Sequence, residues 1–321
     1  MVYQFRFQSY HHPFKHSLKT SHGTWNVREG IVLHLIDQSE RVGNGEIAPL
    51  PWFGTETLEQ ALNFCQKLPP VLTEASIFEI SDSLPACQFG FEMAWEEVRA
   101  RGQGLGVREQ ELGVGEDLDD LLDCIAGQSA LLPAGEAALA SCQSLWQEGY
   151  RTFKWKIGVE DLETELAIAK RLAHDLPNLG KLRLDANGGL TVETARVWLE
   201  VCDRLPNLEY LEQPLPSSQF SQMMDLSLHY ATPLALDESV ATLAQLEDCY
   251  TQGWRGIFVI KPAIAGSPRR LRQFFQAHAI DAVFSSVFET EIGRRAGLRL
   301  AAELGNGDRA MGYGTERWMR G

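Results

Sequence analysis

The stretch LRLDANGGL at residues 182–190 limits the folds open to this chain more than any other. It reads as a short strand that delivers Asp185 at its carboxyl end, then breaks into Asn187, Gly188 and Gly189 before a helical pattern starts. Packing gives no reason for an acid at a strand tip. LEYLEQPLP (208–216) ends a second strand on Glu212, and TPLALDES (232–239) ends a third on Asp237. The three acids recur at intervals of about 25 residues, the length of one strand–helix unit. Consecutive units of a parallel α/β array then place one carboxylate each at the same end of the sheet, and closing the sheet into a barrel makes them converge.

Converging carboxylates repel and raise one another's pKa unless a cation joins them. Oxygen-only ligation completed by water or substrate suits Mg²⁺, with Mn²⁺ as its substitute, better than zinc. Lysines supply the other half of the pattern. FKWKIG (153–158) is a strand on which Lys154 and Lys156 share a face, and FVIKP (258–262) carries Lys261 at the end of a very apolar strand. Both fall in step with the acids, so five successive strand ends present Lys156, Asp185, Glu212, Asp237 and Lys261.

The alternation continues on both sides of these residues. Strands are expected at 129–135, 151–157, 181–185, 208–212, 233–237, 256–260 and 281–285, with helical patterns at 136–147, 162–174, 192–204, 219–230, 241–252, 268–278 and 292–304. A last strand at 311–315 completes a modified (β/α)7β barrel of the TIM type at residues 127–306, with 307–321 as last strand and tail returning to the amino-terminal domain. Residues 1–126 read as an α+β capping domain with its linker. Tyr3 to Tyr10 alternates apolar and polar residues, GIVLHLI (30–36) is a second strand, and the polar segment 19–29 between them reads as an exposed, mobile loop. GNGEIAP (43–49) gives a turn and a strand, followed by a Pro-rich bend and a helix capped by Thr55 or Thr57. Residues 85–100 form an amphipathic helix with Phe89, Met93, Ala94 and Val98 near one face, and a further helix is expected at 117–125.

With 321 residues, 44% hydrophobic, the chain is long enough for one barrel and an accessory domain. A net charge of −14 argues against nucleic acid or an anionic membrane as partner. The partner expected is a small-molecule carboxylate; the oligomeric state stays open. Six cysteines without C-x-x-C pairing read as reduced thiols of a cytoplasmic protein, and neither a secretory leader nor a run of about 20 apolar residues is visible.

The Lys-x-Lys strand, the Asp, Glu and Asp strand ends and the later lysine resemble the muconate-lactonising-enzyme-like branch of the enolase superfamily. GEIAPLPWFGTETL (45–58) resembles the capping domain of the o-succinylbenzoate synthases. The resemblance implies that Asp185, Glu212 and Asp237 hold Mg²⁺, that Lys156 is the general base and that Lys261 faces it across the substrate. It implies a lyase that dehydrates 2-succinyl-6-hydroxy-2,4-cyclohexadiene-1-carboxylate to o-succinylbenzoate, a step of menaquinone or phylloquinone synthesis, with loops 19–29 and 49–54 enclosing the substrate. A plain turn with buried Trp52 and Phe53 is the other reading of that bend. An N-succinylamino acid racemase would use the same two lysines, whereas a mandelate-racemase-like enzyme would need a histidine at a strand end, and none of the eight histidines lies at one.

The supporting residues carry two readings each. Lys154 lies beside the base. Arg183, two residues before Asp185, faces the same way and is open to substrate contact or to an ion pair inside the barrel. Asn187 orients a ligand or makes the turn. Glu238 supports a lysine or the acids. In SSVFET (285–290), the hydroxyls and backbone N–H groups of Ser285 and Ser286 are expected to bind a carboxylate, which the resemblance makes the succinyl tail.

Overall fold

A computed structural model describes residues 1–20, 23–102, 127–177, 179–305 and 307–315. The amino-terminal part is built on a four-stranded antiparallel sheet of order β3-β2-β1-β4. Strand β1 (Val2–Thr20) pairs with β2 (Gly23–Ile36) as a long hairpin, β3 (Val42–Ile47) continues from β2, and α1 (Leu58–Lys67) leads to β4 (Val71–Thr73) on the other edge of β1. The short α2 (Glu74–Phe78) and the long α3 (Pro85–Gly102) close the unit. Period-two alternation sends Tyr3, Phe5, Ile31, Leu33, Leu35 and Ile47 into its core.

Three expectations change here. Residues 24–29 are not a loop but part of β2, with Trp25 opposite Leu18 and Arg28 opposite His12. Their polarity belongs to the solvent face of a two-stranded ribbon. Arg28 is the exception, buried and donating to the carbonyls of Glu29 (2.9 Å), Pro49 (3.0 Å) and Ala48. Nor does α3 have a single apolar face, for every residue from 85 to 94 is buried. It lies between β3 on one side and the barrel on the other. Gly45, which reads as part of a turn, lies within β3, where a Cβ would collide with the Gly90 carbonyl oxygen. The helix expected at 117–125 lies outside the described residues.

The second part is the expected barrel. In chain order come β5 (Ser129–Leu131), α4 (Ala137–Gln147), β6 (Thr152–Lys156), α5 (Leu162–Asp175), β7 (Lys181–Asp185), α6 (Val192–Cys202), β8 (Leu208–Glu212) and α7 (Phe220–His229). They are followed by β9 (Leu234–Leu236), α8 (Leu243–Thr251), β10 (Ile257–Ile260), the one-turn α9 (Pro262–Ala265), α10 (Pro268–Ala277), β11 (Ala282–Phe284) and α11 (Glu291–Leu304). The seven strands form one parallel sheet in sequence order. Met311 bridges Gln128 beside β5 and Gly312 bridges Ser285 beside β11, so the segment after α11 closes the sheet as its last stave. The tail from 316 onward lies outside the described residues.

Local chemistry sets these boundaries. Asp161, Thr191, Thr242 and Ser267 each accept a backbone N–H at the start of α5, α6, α8 and α10. The strands are apolar on both faces because helices cover the outside and side chains fill the inside. Tyr210, Ala235, Ile257, Val259 and Val283 pack together as a separate cluster, alternating along their strands with residues of the larger barrel core. Between β7 and β8 the register slips, with Leu182 opposite Leu208 but Arg183 opposite Tyr210. Glu209 is thereby left unmatched in a bulge and accepts from the Arg183 guanidinium (2.6 Å).

Candidate active site

Period-two geometry carries the chemistry upward from that packed interior. On each strand the residue two beyond an interior side chain also points inward, which places Lys156 above Lys154, Asp185 above Arg183, Glu212 above Tyr210, Asp237 above Ala235 and Lys261 above Val259. All arrive at the carboxyl ends of their strands, the functional end of such barrels. A cavity of about 550 Å³ opens there, with Lys154, Lys156, Asp185, Asp237, Glu238 and Lys261 at its polar side. Trp25, Trp52 and Phe53 close it from the amino-terminal part, and Trp25 stands edge-on to both Trp52 and Phe288 at 5.1 and 5.7 Å between ring centroids.

Inside, positive and negative groups alternate. Lys154 Nζ lies 2.8 Å from Asp185 and 2.6 Å from Glu212. Burial opposes its charge, but the two carboxylates outweigh burial and hold it protonated. Lys261 is buried, forms an ion pair with Asp237, and sits 4.4 Å from the centre of the Phe53 ring. Its burial lowers the pKa to about 7, against the pull of Glu212 and with help from Lys154. Lys156 is half-buried, faces the cavity and has neither a hydrogen bond nor an ion pair among the described residues. Burial lowers its pKa too, with Asp185 and Glu238 pulling the other way.

The acids are under strain of charge. Burial first, then Asp185, raises Glu212; burial, then Asp185 and Glu212, raises Glu238 to about 7. Among the described residues no three acidic side chains stand in ready-made ligating geometry, because the lysine ammoniums lie among them. The donor set nevertheless fits a hard divalent cation. Every donor is a carboxylate oxygen, and Glu212 Oε2 and Glu238 Oε2 are buried without a partner.

A side chain not foreseen from the sequence fixes the spacing of these acids. Gln213, fully buried with a left-handed φ of 36°, accepts at Oε1 from the N–H groups of Asp237 (2.9 Å) and Ser239 (3.2 Å). Its Nε2 donates to the Leu215 carbonyl (2.9 Å) and the Ser239 hydroxyl (2.8 Å). One amide thus ties the end of β8, which carries Glu212, to the end of β9, which carries Asp237.

Two family models match the chain: "MenC, N-terminal domain" over residues 3–98 and "Enolase C-terminal domain-like" over residues 137–314. The chain is 40% identical over 321 residues to the o-succinylbenzoate synthase of Thermosynechococcus vestitus, covering 98% of this chain and 93% of that one. The chain belongs to the o-succinylbenzoate synthase family. The crystal structure of a synthase from Thermosynechococcus elongatus BP-1, complexed with magnesium in the active site, superposes with a TM-score of 0.85 at 38% identity, covering 99% of this chain and 94% of that one. The L-Ala-D/L-Glu epimerase of Bacillus subtilis shares the fold, with a TM-score of 0.74 at 19% identity, covering 98% and 90%.

The supporting residues, each open to two readings from the sequence, take these places. Arg183 does not reach the cavity. It is buried below Asp185, paired with Glu209 and stacked 5.0 Å over Tyr210, because its long side chain turns down to the bulged acid. Ser285 and Ser286 line the cavity, but their donors are engaged within the protein. The Ser285 and Ser286 N–H groups go to the carbonyls of Ile260 and Gly312, Val287 N–H goes to Glu289, and Phe288 N–H goes to the Ser286 hydroxyl. The Ser286 hydroxyl donates to Glu289 (2.9 Å) and that of Ser285 to Gly312 O (3.3 Å). Asn187 does both things considered: its φ of 44° makes the turn, its N–H donates to Asp185 (2.9 Å) and its amide donates to Glu238 (3.2 Å). Trp52 and Phe53 are cavity residues rather than members of a plain turn.

Proposed function

We propose that the chain dehydrates 2-succinyl-6-hydroxy-2,4-cyclohexadiene-1-carboxylate to o-succinylbenzoate and water, with Lys156 as the base. The observation that carries the assignment is the contrast among three lysines in one cavity. Lys154 is fixed between two carboxylates and stays charged. Lys261 is tied to Asp237. Burial favours the neutral form, which is what a base requires, in both Lys156 and Lys261, but Lys156 alone of the three has no partner among the described residues.

The chain's own groups account for the steps. Lys156 removes the proton α to the substrate carboxylate and delivers a proton to the departing hydroxyl, which leaves as water while the ring becomes aromatic. Lys261 comes from β10, across the barrel from β6, and faces the opposite side of a ring lying between them. The aromatic roof of Trp25, Trp52 and Phe53 keeps water from the reacting face. Asp185, Glu212 and Asp237 would hold Mg²⁺, which when bound would supply Lewis-acid charge facing the substrate carboxylate. Asn187 braces Asp185 through its backbone N–H and holds Glu238 beside it through its side-chain amide.

Lys156→Ala tests the assignment. Its kcat is expected to fall by at least about 10²–10⁴-fold while Mg²⁺ binding, followed by calorimetry, stays as in the parent. Parent-like turnover by this variant would remove Lys156 as the base.

A further inference from the structure

We propose that Glu46 is a positioning residue that sets one wall of the substrate cavity from the amino-terminal domain; the proposal rests on the dehydration reading above. Glu46 lies on β3, is fully buried, and collects four hydrogen bonds. They come from the N–H groups of Thr290 and Gly293 (2.9 Å each), the Thr290 hydroxyl (2.5 Å) and the Tyr10 hydroxyl of β1. Thr290 and Gly293 belong to the first turn of the barrel helix α11. Thr290 occupies the capping position but makes no side-chain cap of its own, having turned its hydroxyl to Glu46. A carboxylate from one domain therefore satisfies the orphan amides of a helix in the other and meets the positive end of its dipole.

The surroundings are shaped for this contact. A Cβ on Gly293 would stand 2.8 Å from Glu46 Oε2, and one on Gly30 would collide with the Tyr10 hydroxyl. Glycine at both positions gives the carboxylate and the phenol their room.

What the link holds in place is the cavity wall. Residues 285–288 line the cavity and run directly into α11. Phe288, with a left-handed φ of 60°, presents its ring to Phe14 of β1 and Trp25 of β2, at 5.6 and 5.7 Å. Glu46 thus fixes the backbone on which that aromatic contact depends, and through Tyr10 it fixes the strand that carries Phe14. It touches none of the lysines or acids on β6 to β10. Its effect falls on how well substrate is held rather than on the chemical step.

Glu46→Gln keeps the shape and removes the charge. It is expected to raise KM for the cyclohexadiene carboxylate about tenfold with kcat within about twofold of the parent, and to speed amide hydrogen exchange over residues 285–293 about tenfold. Thr290→Val removes one donor and leaves the acid, and should shift KM in the same direction by about threefold; it serves as the test if the Glu46 variant does not fold. An unchanged KM in the folded variants, with only thermal stability lowered, would overturn the proposal, as would a fall in kcat at constant KM. Parent enzyme without turnover would sink the functional reading instead, and in that case unchanged exchange at 285–293 would still refute the link.

Discussion

Replacing Gln213 by alanine removes an amide whose every hydrogen-bonding valence is used inside the protein. The change strands the N–H groups of Asp237 and Ser239 and the carbonyl of Leu215, all in a region closed to solvent. A buried polar group left without its partner costs about 1–3 kcal/mol, and water entering the vacated space relieves part of that. Taking the low end for each of the three groups gives a loss of about 3 kcal/mol. At about 2 °C per kcal/mol for a chain of this size, Tm of the metal-free protein should drop by about 6 °C. The amide also sets the spacing of the strand ends bearing Glu212 and Asp237, so Mg²⁺ affinity should fall about 10- to 100-fold, as it does when groups orienting metal ligands are removed. Scanning calorimetry of the metal-free protein and titration calorimetry with Mg²⁺ measure the two effects separately. A destabilised variant with parent Mg²⁺ affinity would refute the argument that Gln213 positions the acids, and an unchanged Tm would refute the count of stranded groups.

Two further outcomes follow from the charges. Because burial lowers the pKa of Lys156, kcat/KM should rise with pH as that amine loses its proton and level off below the ordinary lysine value of about 10.4; a limb centred at or above it would contradict the assignment. Burial pushes Glu209 up, but Arg183, Lys181 and Arg309 outweigh it and hold its carboxyl below the usual range. A depressed carboxyl contributes stability above its unfolded pKa of about 4.3 and loses it as pH falls through the lower folded value, so Glu209→Gln should flatten the acid limb of a Tm-against-pH curve; a limb as steep as the parent's would refute this.

The barrel and its charged rim were legible because one strand–helix unit delivers one inward residue at each strand end, and a strand's period of two leaves no freedom over which residue that is. Lys156, Asp185, Asp237 and Lys261 reach the cavity from the strand ends where that rule puts them, and Glu212 ends its strand fully buried beside them. What escaped depends on partners far away in sequence. Residues 24–29 look like a loop by composition, yet pairing with β1 makes them a strand. Nothing near Gly45 announces that α3 will press against it, and α3 is buried all round its first turns only because the barrel covers its other side. Ser285 and Ser286 have the right residue types for holding a carboxylate, but Gly312, Ile260 and Glu289 claim their donors first. Arg183 faces the same way as Asp185, as alternation requires, and is drawn down to an acid that only a bulge turns inward. The role of Gln213 is equally silent in the sequence, since a glutamine after an acid shows neither its left-handed backbone nor the strand end it will clasp.

The central claim is that this cavity dehydrates a cyclohexadiene carboxylate through Lys156. Its most direct test is ultraviolet-followed turnover of 2-succinyl-6-hydroxy-2,4-cyclohexadiene-1-carboxylate by the purified protein with Mg²⁺, with racemisation of N-succinylamino acids measured in parallel. The account predicts dehydration that chelation of the metal stops and that Lys156→Ala abolishes. Racemisation without dehydration would contradict it, leaving the lysines in place but giving them a different substrate.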